Sequence, residues 1–186
     1  MVDSDGVMMF GDNIAVQDGD SLAAALAVRT GDALARYHWS GQPASAAVDA
    51  LARWSREFGL PRRILVATGS NDIFAPPLFG RQVDRTMRIV GWTRTVVWVN
   101  ISVDRVKRSP QVRAADRRNS AWVNRQLEAR VRRFPNLRVV HWAEYLAANP
   151  IHLRDLRDGL HTSLPHGQNA RNELIVQVLA AARSAA

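Results

Sequence analysis

Five short apolar runs rich in β-branched residues alternate along this chain with stretches whose apolar residues repeat at helical spacing. The runs are Val7–Phe10, Ala33–Trp39, the start of Ile64–Asp72, Thr95–Ile101 and Leu137–Trp142. Crossovers of a dozen residues or more join strands that run parallel, and helices in those crossovers cover both faces of the sheet. The Thr95–Ile101 run is apolar enough to be buried on both sides. The expectation is an α/β fold, a three-layer α/β/α arrangement on a five-stranded parallel sheet. With 186 residues, 47% of them hydrophobic, the chain can bury one real core but not two, so one domain spanning 1–186 is expected.

The helices follow from their caps and breakers. The first is expected from about Leu22, with Asp20 and Ser21 as N-cap residues and Gly31 as its stop. Pro43 suits the first turn of a second helix carrying Ala47, Val48, Leu51, Trp54 and Phe58, closed by Gly59 and Pro61. After Ala75-Pro76-Pro77 a third helix runs from about Phe79 to Val90. Asp104 to Arg118 is polar and basic and reads as a long surface loop. A helix from about Arg117 to Phe134 then presents Val123, Leu127, Val131 and Phe134. A looser segment through Pro150 and His161 leads to a last helix, about Gly167 to Arg183, with Ala170, Leu174, Val178 and Leu179 inward.

The net charge of +8 comes almost wholly from arginine, Lys107 being the single lysine, which reads as a compositional bias rather than a surface tuned to one partner. Without cysteine there is no disulfide framework, thiolate nucleophile or thiolate zinc site. The acidic start Met1–Gly6 has no basic region or apolar core of a signal peptide, and no apolar run approaches the roughly 20 residues of a membrane span. A cytoplasmic protein is expected as written, or an extracytoplasmic one if this is a domain of a larger chain.

The polar strand ends carry the functional signal. Gly11-Asp12-Asn13 follows the first strand, Ser40-Gly41 the second and Gly69-Ser70-Asn71-Asp72 the third. Asp158-Gly159-Leu160-His161 comes after the fifth. All are expected at the carboxyl edge of the sheet, where ligands of open α/β folds bind. The pattern resembles the SGNH, or GDSL-like, hydrolase family. That family carries Gly-Asp-Ser after strand one, a glycine after strand two, Gly-x-Asn-Asp after strand three and Asp-x-x-His near the end. The resemblance runs from Val7 to about Val178. The segment Arg117–Trp142, followed by Asp158–His161, is also similar to the SGNH domains appended to bacterial membrane acyltransferases.

What the resemblance implies is a flavodoxin-like SGNH fold and serine-hydrolase chemistry on acyl or acetyl esters, as ester hydrolase or O-acyltransferase, with no cofactor and no metal. His161 would be the general base and Asp158 its orienting partner. The oxyanion would be held by the Asn71 amide, the Gly41 backbone N–H and the backbone N–H at position 13. Asp12 and Asp72 would support the turns. The departure is Asn13, which stands where the family has its nucleophilic serine and is no nucleophile. Gly19-Asp20-Ser21-Leu22 is a literal copy of the block and makes Ser21 a secondary choice. Ser21, however, opens an Ala-rich helix, and only 20 residues separate it from Gly41.

Simpler readings stand beside these. Asn71-Asp72 suits an Asx turn and Asp158-Gly159 a plain turn. Asp155 and His166 are decoys for the same roles, and His38 and His141 read as strand residues, while His152 is unplaced. The tryptophans at 39, 54, 98, 122 and 142 are expected in the core and Trp92 on the surface. The basic run Arg105 to Arg118, with Arg125, Arg130, Arg132 and Arg133, reads as a solvated face, with anion binding as its alternative. No nucleic-acid motif accompanies it and no nucleic-acid partner is expected; the partner the resemblance implies is a small ester or an acylated carbohydrate. A non-catalytic binding module on the same scaffold is the rival reading.

Overall fold

The computed structural model describes residues 6–184, so the acidic start at 1–5 lies outside the described residues. Strands β1 (Val7–Gly11), β2 (Leu34–His38), β3 (Arg63–Ala67), β4 (Thr95–Val99) and β5 (Leu137–Val140) form an all-parallel sheet in the order β2-β1-β3-β4-β5. Between and after them run α1 (Asn13–Thr30), α2 (Ala44–Phe58), α3 (Phe79–Val90), α4 (Pro110–Val131), α5 (Trp142–Ala148) and α6 (His166–Ser184). None of the described helices is long and apolar enough to cross a membrane.

Strand periodicity sorts the core into two layers. Met8, Phe10, Ile64, Val66, Val96 and Trp98 pack with α2, α3 and α4. Val7, Met9, Leu65, Val97, Val99 and Val140 pack with α1, α5 and α6. Each fully buried side chain of this size contributes roughly 1.5–3 kcal/mol. Trp98 is buried completely because its indole N–H finds the Thr68 carbonyl at 3.0 Å, while its ring meets Phe79 edge-on at 5.4 Å.

This strand order also positions the site. From β1 the chain goes to β2 on one side, and β3 then adds on the other. The reversal opens a crevice beyond the carboxyl ends of β1 and β3, the place where open α/β sheets bind ligands.

Several expectations from the sequence are corrected. Helix α1 starts at Asn13, not near Leu22, because the Asp12 carboxylate caps it by accepting the Ile14 N–H at 3.0 Å. Ser21 therefore lies mid-helix, where its hydroxyl accepts from Asn172. Gly19 is no breaker. A Cβ there would stand 3.2 Å from the Arg36 side chain, so glycine suits the close packing of α1 on β2. The loop expected to Arg118 ends at Ser109, which caps α4 with Pro110 in the first turn. Trp142 begins α5 rather than ending β5, as the His141 backbone leaves the extended region. Trp39 and Trp122 are partly exposed rather than core, as is Phe58, which lies against Trp54.

Under α1 and the sheet, Arg63 and Asp32 form a buried bidentate pair, both contacts 2.7 Å. Burial opposes the Asp32 charge, but hydrogen bonds from Arg63 and Thr30 outweigh it and hold the carboxyl below its ordinary value. Arg63→Ala would leave that carboxylate buried beside only Thr30 and the half-exposed Arg183. The expected cost is about 3–5 kcal/mol. Urea unfolding checks it, and a loss below about 1 kcal/mol would show the pair to be dispensable.

Candidate active site

The site starts where β1 stops. The Asp12 N–H extends the ladder to the Ala67 carbonyl, its side chain caps α1, and the Ser70 hydroxyl donates to its other oxygen at 2.5 Å. Asp12 is buried, and burial raises its pKa despite the hydrogen bond from Ser70. Capping places Asn13 at the first helical position, where a backbone N–H has no intrahelical acceptor and faces the positive end of the helix.

At the end of β3, a tight 3-10 turn over Ser70–Phe74 presents Asn71. Its side-chain N–H donates to the Asn13 Oδ1 at 3.4 Å and to the Gln42 carbonyl at 3.3 Å. The second contact ties the turn to the Gly41 loop after β2. Gly41 sits at φ +76°, in the left-handed region that favours glycine, with open space where a side chain would project. Below the turn, Asp72 accepts the Ala44 N–H at 2.9 Å and thereby joins β3 to the start of α2.

His161 arrives from the far end of the chain. Its Nδ1–H donates to Asp158 Oδ2 at 2.8 Å, while Asp158 Oδ1 accepts the His161 and Leu160 backbone N–H groups at 2.8 and 3.1 Å. Burial would raise the Asp158 pKa, but these bonds outweigh it and hold the carboxyl below its usual value. The turn is clamped from two sides. Asp104 and Val106 donate backbone N–H groups to the Gly159 and Asp158 carbonyls at 2.8 and 3.1 Å. On the other side the Thr162 hydroxyl donates to buried Asp18 at 2.8 Å and accepts from Gln17 at 2.5 Å, and Arg171 lies 3.5 Å from Asp18.

With Nδ1 donating to Asp158, the Nε2 of His161 is an acceptor, and it receives the Asn13 side-chain N–H at 2.5 Å. Asn71, Asn13, His161 and Asp158 thus form one continuous hydrogen-bonded chain. The lone pair of Nε2 is then aimed at position 13. A hydroxyl at that position could give up its proton, which a carboxamide cannot.

No family model and no curated protein sequence matches this chain. Solved structures do. The C-terminal catalytic domain of peptidoglycan O-acetyltransferase A from Streptococcus pneumoniae, held with a methylsulfonyl adduct, is 17% identical. It aligns over 98% of this chain and 94% of its own length, with a TM-score of 0.70. A lipolytic G-D-S-L family member from Veillonella parvula is 14% identical over 93% of this chain and 97% of its own, with a TM-score of 0.76. A lipase/acylhydrolase from Enterococcus faecalis is 19% identical over 94% of both chains, with a TM-score of 0.69. The fold is that of the SGNH hydrolases.

Within this SGNH fold the other sequence candidates fall elsewhere. Ser21 bonds to Asn172 rather than His161. Asp155 accepts from the Tyr145 hydroxyl, and His152 stacks on the same tyrosine at 4.1 Å. His38 ends β2, exposed His141 lies between Glu128 and Glu144, and His166 opens α6. Trp92 is exposed. Among the described residues no three His, Asp or Glu side chains cluster as a metal site. Gln17, Asp18, Ser70, Thr162 and Arg171 also support the site, with no role evident along the chain. Ser70 belongs to the Gly69–Asp72 block, but the others carry no local signal, because they pair across more than 140 positions.

Burial, aided by the nearby Asp12 charge, pushes the Asp72 pKa from 3.8 up to about 6, although the Ala44 N–H works against it. The folded state then binds this proton more tightly than the unfolded chain. Asp72 should thus lower stability as pH rises from about 4 to about 6, by roughly 3 kcal/mol, and add nothing further above that. Urea midpoints of the chain and of Asp72→Asn across this range check it. The chain should lose ground against the variant as pH rises, and a constant difference would refute the assignment.

Proposed function

We propose that the chain is one SGNH-type domain with a site for an acyl or acetyl ester, borne on a small molecule or a carbohydrate. It is built for ester hydrolysis or O-acyl transfer, with its nucleophile position occupied by Asn13. In this form it binds the ester and turns it over near background. The observation that carries the reading is the contact of His161 Nε2 with the Asn13 side chain, with Asp158 on the opposite ring nitrogen. In this reading His161 is the general base, Asp158 orients it, and Asn71, the Gly41 N–H and the N–H of residue 13 face the developing oxyanion.

The binding-module form of the reading has its own support, since Asn13 fills the gap between His161 and Asn71 with hydrogen bonds to both. A separate role as a general anion binder is less well supported. Arg105 pairs with Asp116, Arg113 and Arg117 with Asp104, and Arg130 with Asp84, so much of the basic run is internally neutralised. Asn13→Ser followed by an esterase assay tests the proposal.

A further inference from the structure

Beside His161 lies an open cleft of about 340 Å³ whose other lining residues are Arg105, Lys107, Arg108, Asp158 and Leu160. Its charges are not equivalent. Arg105 places two guanidinium nitrogens on Asp116, at 2.7 and 2.8 Å. Asp158, the one carboxylate in the lining, is taken by His161. Lys107 and Arg108 are exposed, and their side chains make no hydrogen bond or ion pair with any described residue. They also stand on a fixed support. The segment before them is hydrogen-bonded to the Asp158–Gly159 turn, Asp104 is pinned by Arg113 and Arg117, and Ser109 caps α4 immediately afterwards. Two uncompensated cations on a concave wall shared with the imidazole concentrate negative charge at that wall.

Resting on the ester-site reading, we propose that this cleft selects acyl esters that carry a second, anionic group, a carboxylate or a phosphate, and that Lys107 and Arg108 hold it. The ester carbonyl would lie toward Asn13 and His161, with the charge toward the 107–108 tip. Both side chains are long and mobile, so they can close on either anion, the guanidinium by a paired contact and the ammonium as a point charge.

The test titrates the unaltered, ¹⁵N-labelled chain at low salt with dimethyl succinate, monomethyl succinate and methyl phosphonoacetate. The first two differ in a single charge. Both charged esters should bind about tenfold tighter than the neutral one and shift the resonances of residues 105–108 and 158–161. Added salt should erode that advantage, an effect that requires no variant. The ratio between the two charged esters separates carboxylate from phosphate recognition. The double variant K107S/R108S, which removes no hydrogen bond or ion pair with a described residue, should abolish the advantage. Arg56→Ser, in the last turn of α2, should retain it. Equal binding of the neutral and charged esters, or an advantage that survives the double substitution, overturns the proposal. Esterase activity of Asn13→Ser on 4-nitrophenyl acetate is the independent arm. If that variant is active and charge confers no advantage, charge selection fails and the ester site stands. If charged esters bind at 105–108 but that variant is inert, the hydrolytic reading fails, the binding-module reading takes its place and the anion cleft stands.

Discussion

Asn13→Ser should convert the chain into an esterase. Residue 13 occupies the first position of α1, so serine there leaves the Asp12 cap and the backbone N–H in place. The smaller side chain fits without overpacking. Its hydroxyl would meet the lone pair of His161 Nε2, which now receives an amide N–H at 2.5 Å. Losing the serine of a well-studied protease costs about 10⁶ in turnover, with about 10³ over water remaining from oxyanion binding. A gain of at least about 10³ on a short activated ester is therefore expected. Adding His161→Ala should abolish it, and adding Asn71→Ala should lower it about 10²–10³ by removing one oxyanion donor. A folded Asn13→Ser protein inert toward acetyl and longer-chain esters would leave the binding module as the better reading.

Gly159→Ala should disable that gained activity without touching any group proposed to act chemically. Gly159 sits at φ +80°, and a Cβ built there lies 1.8 Å from the Asp104 carbonyl oxygen. Asp104 cannot retreat easily, because Arg113 and Arg117 hold its carboxylate and its N–H is bonded to the Gly159 carbonyl. The turn must then move, and it carries both Asp158 and His161. A displacement of about 1 Å at a catalytic group costs on the order of 10² in rate. In the Asn13→Ser background the esterase rate should fall by at least that factor, and stability by roughly 1–3 kcal/mol from the strained backbone. Activity within a few-fold of the parent, with unchanged urea stability, would mean that this contact does not position the dyad.

Much of this architecture is legible in the residues. The alternation of β-branched runs with helical periodicity specifies a parallel α/β sheet, because the inner strands bury both faces and each crossover must cover one. Elements with strong punctuation are legible in the chain. Helix α3 lies between Pro77 and Gly91, and Gly31 ends α1 in the left-handed conformation. Residues with two local meanings are not so legible. Gly19 and Ser21 look like a break and a cap, yet they sit inside α1, since the Asp12 carboxylate had already satisfied the helix start. Ser109-Pro110 was a helix start lost within a basic run.

The spacing of polar residues at strand ends singled out Asn13, Asn71, Asp158 and His161, which are the members of the hydrogen-bonded chain. Asn13 and Asn71 follow β1 and β3 by a few residues, and Asp158 and His161 share one short turn, so each block is legible locally. Only the tertiary structure decided the tautomer of His161, the clamping of its turn by Asp104 and by the Asp18–Thr162 pair, and which of the many arginines remain uncompensated. The contacts that decide most of them join distant residues, Asp104 to Gly159, Asp18 to Thr162 and Asn13 to His161. They are set by packing two helical layers on one sheet, and no pattern along the chain encodes them.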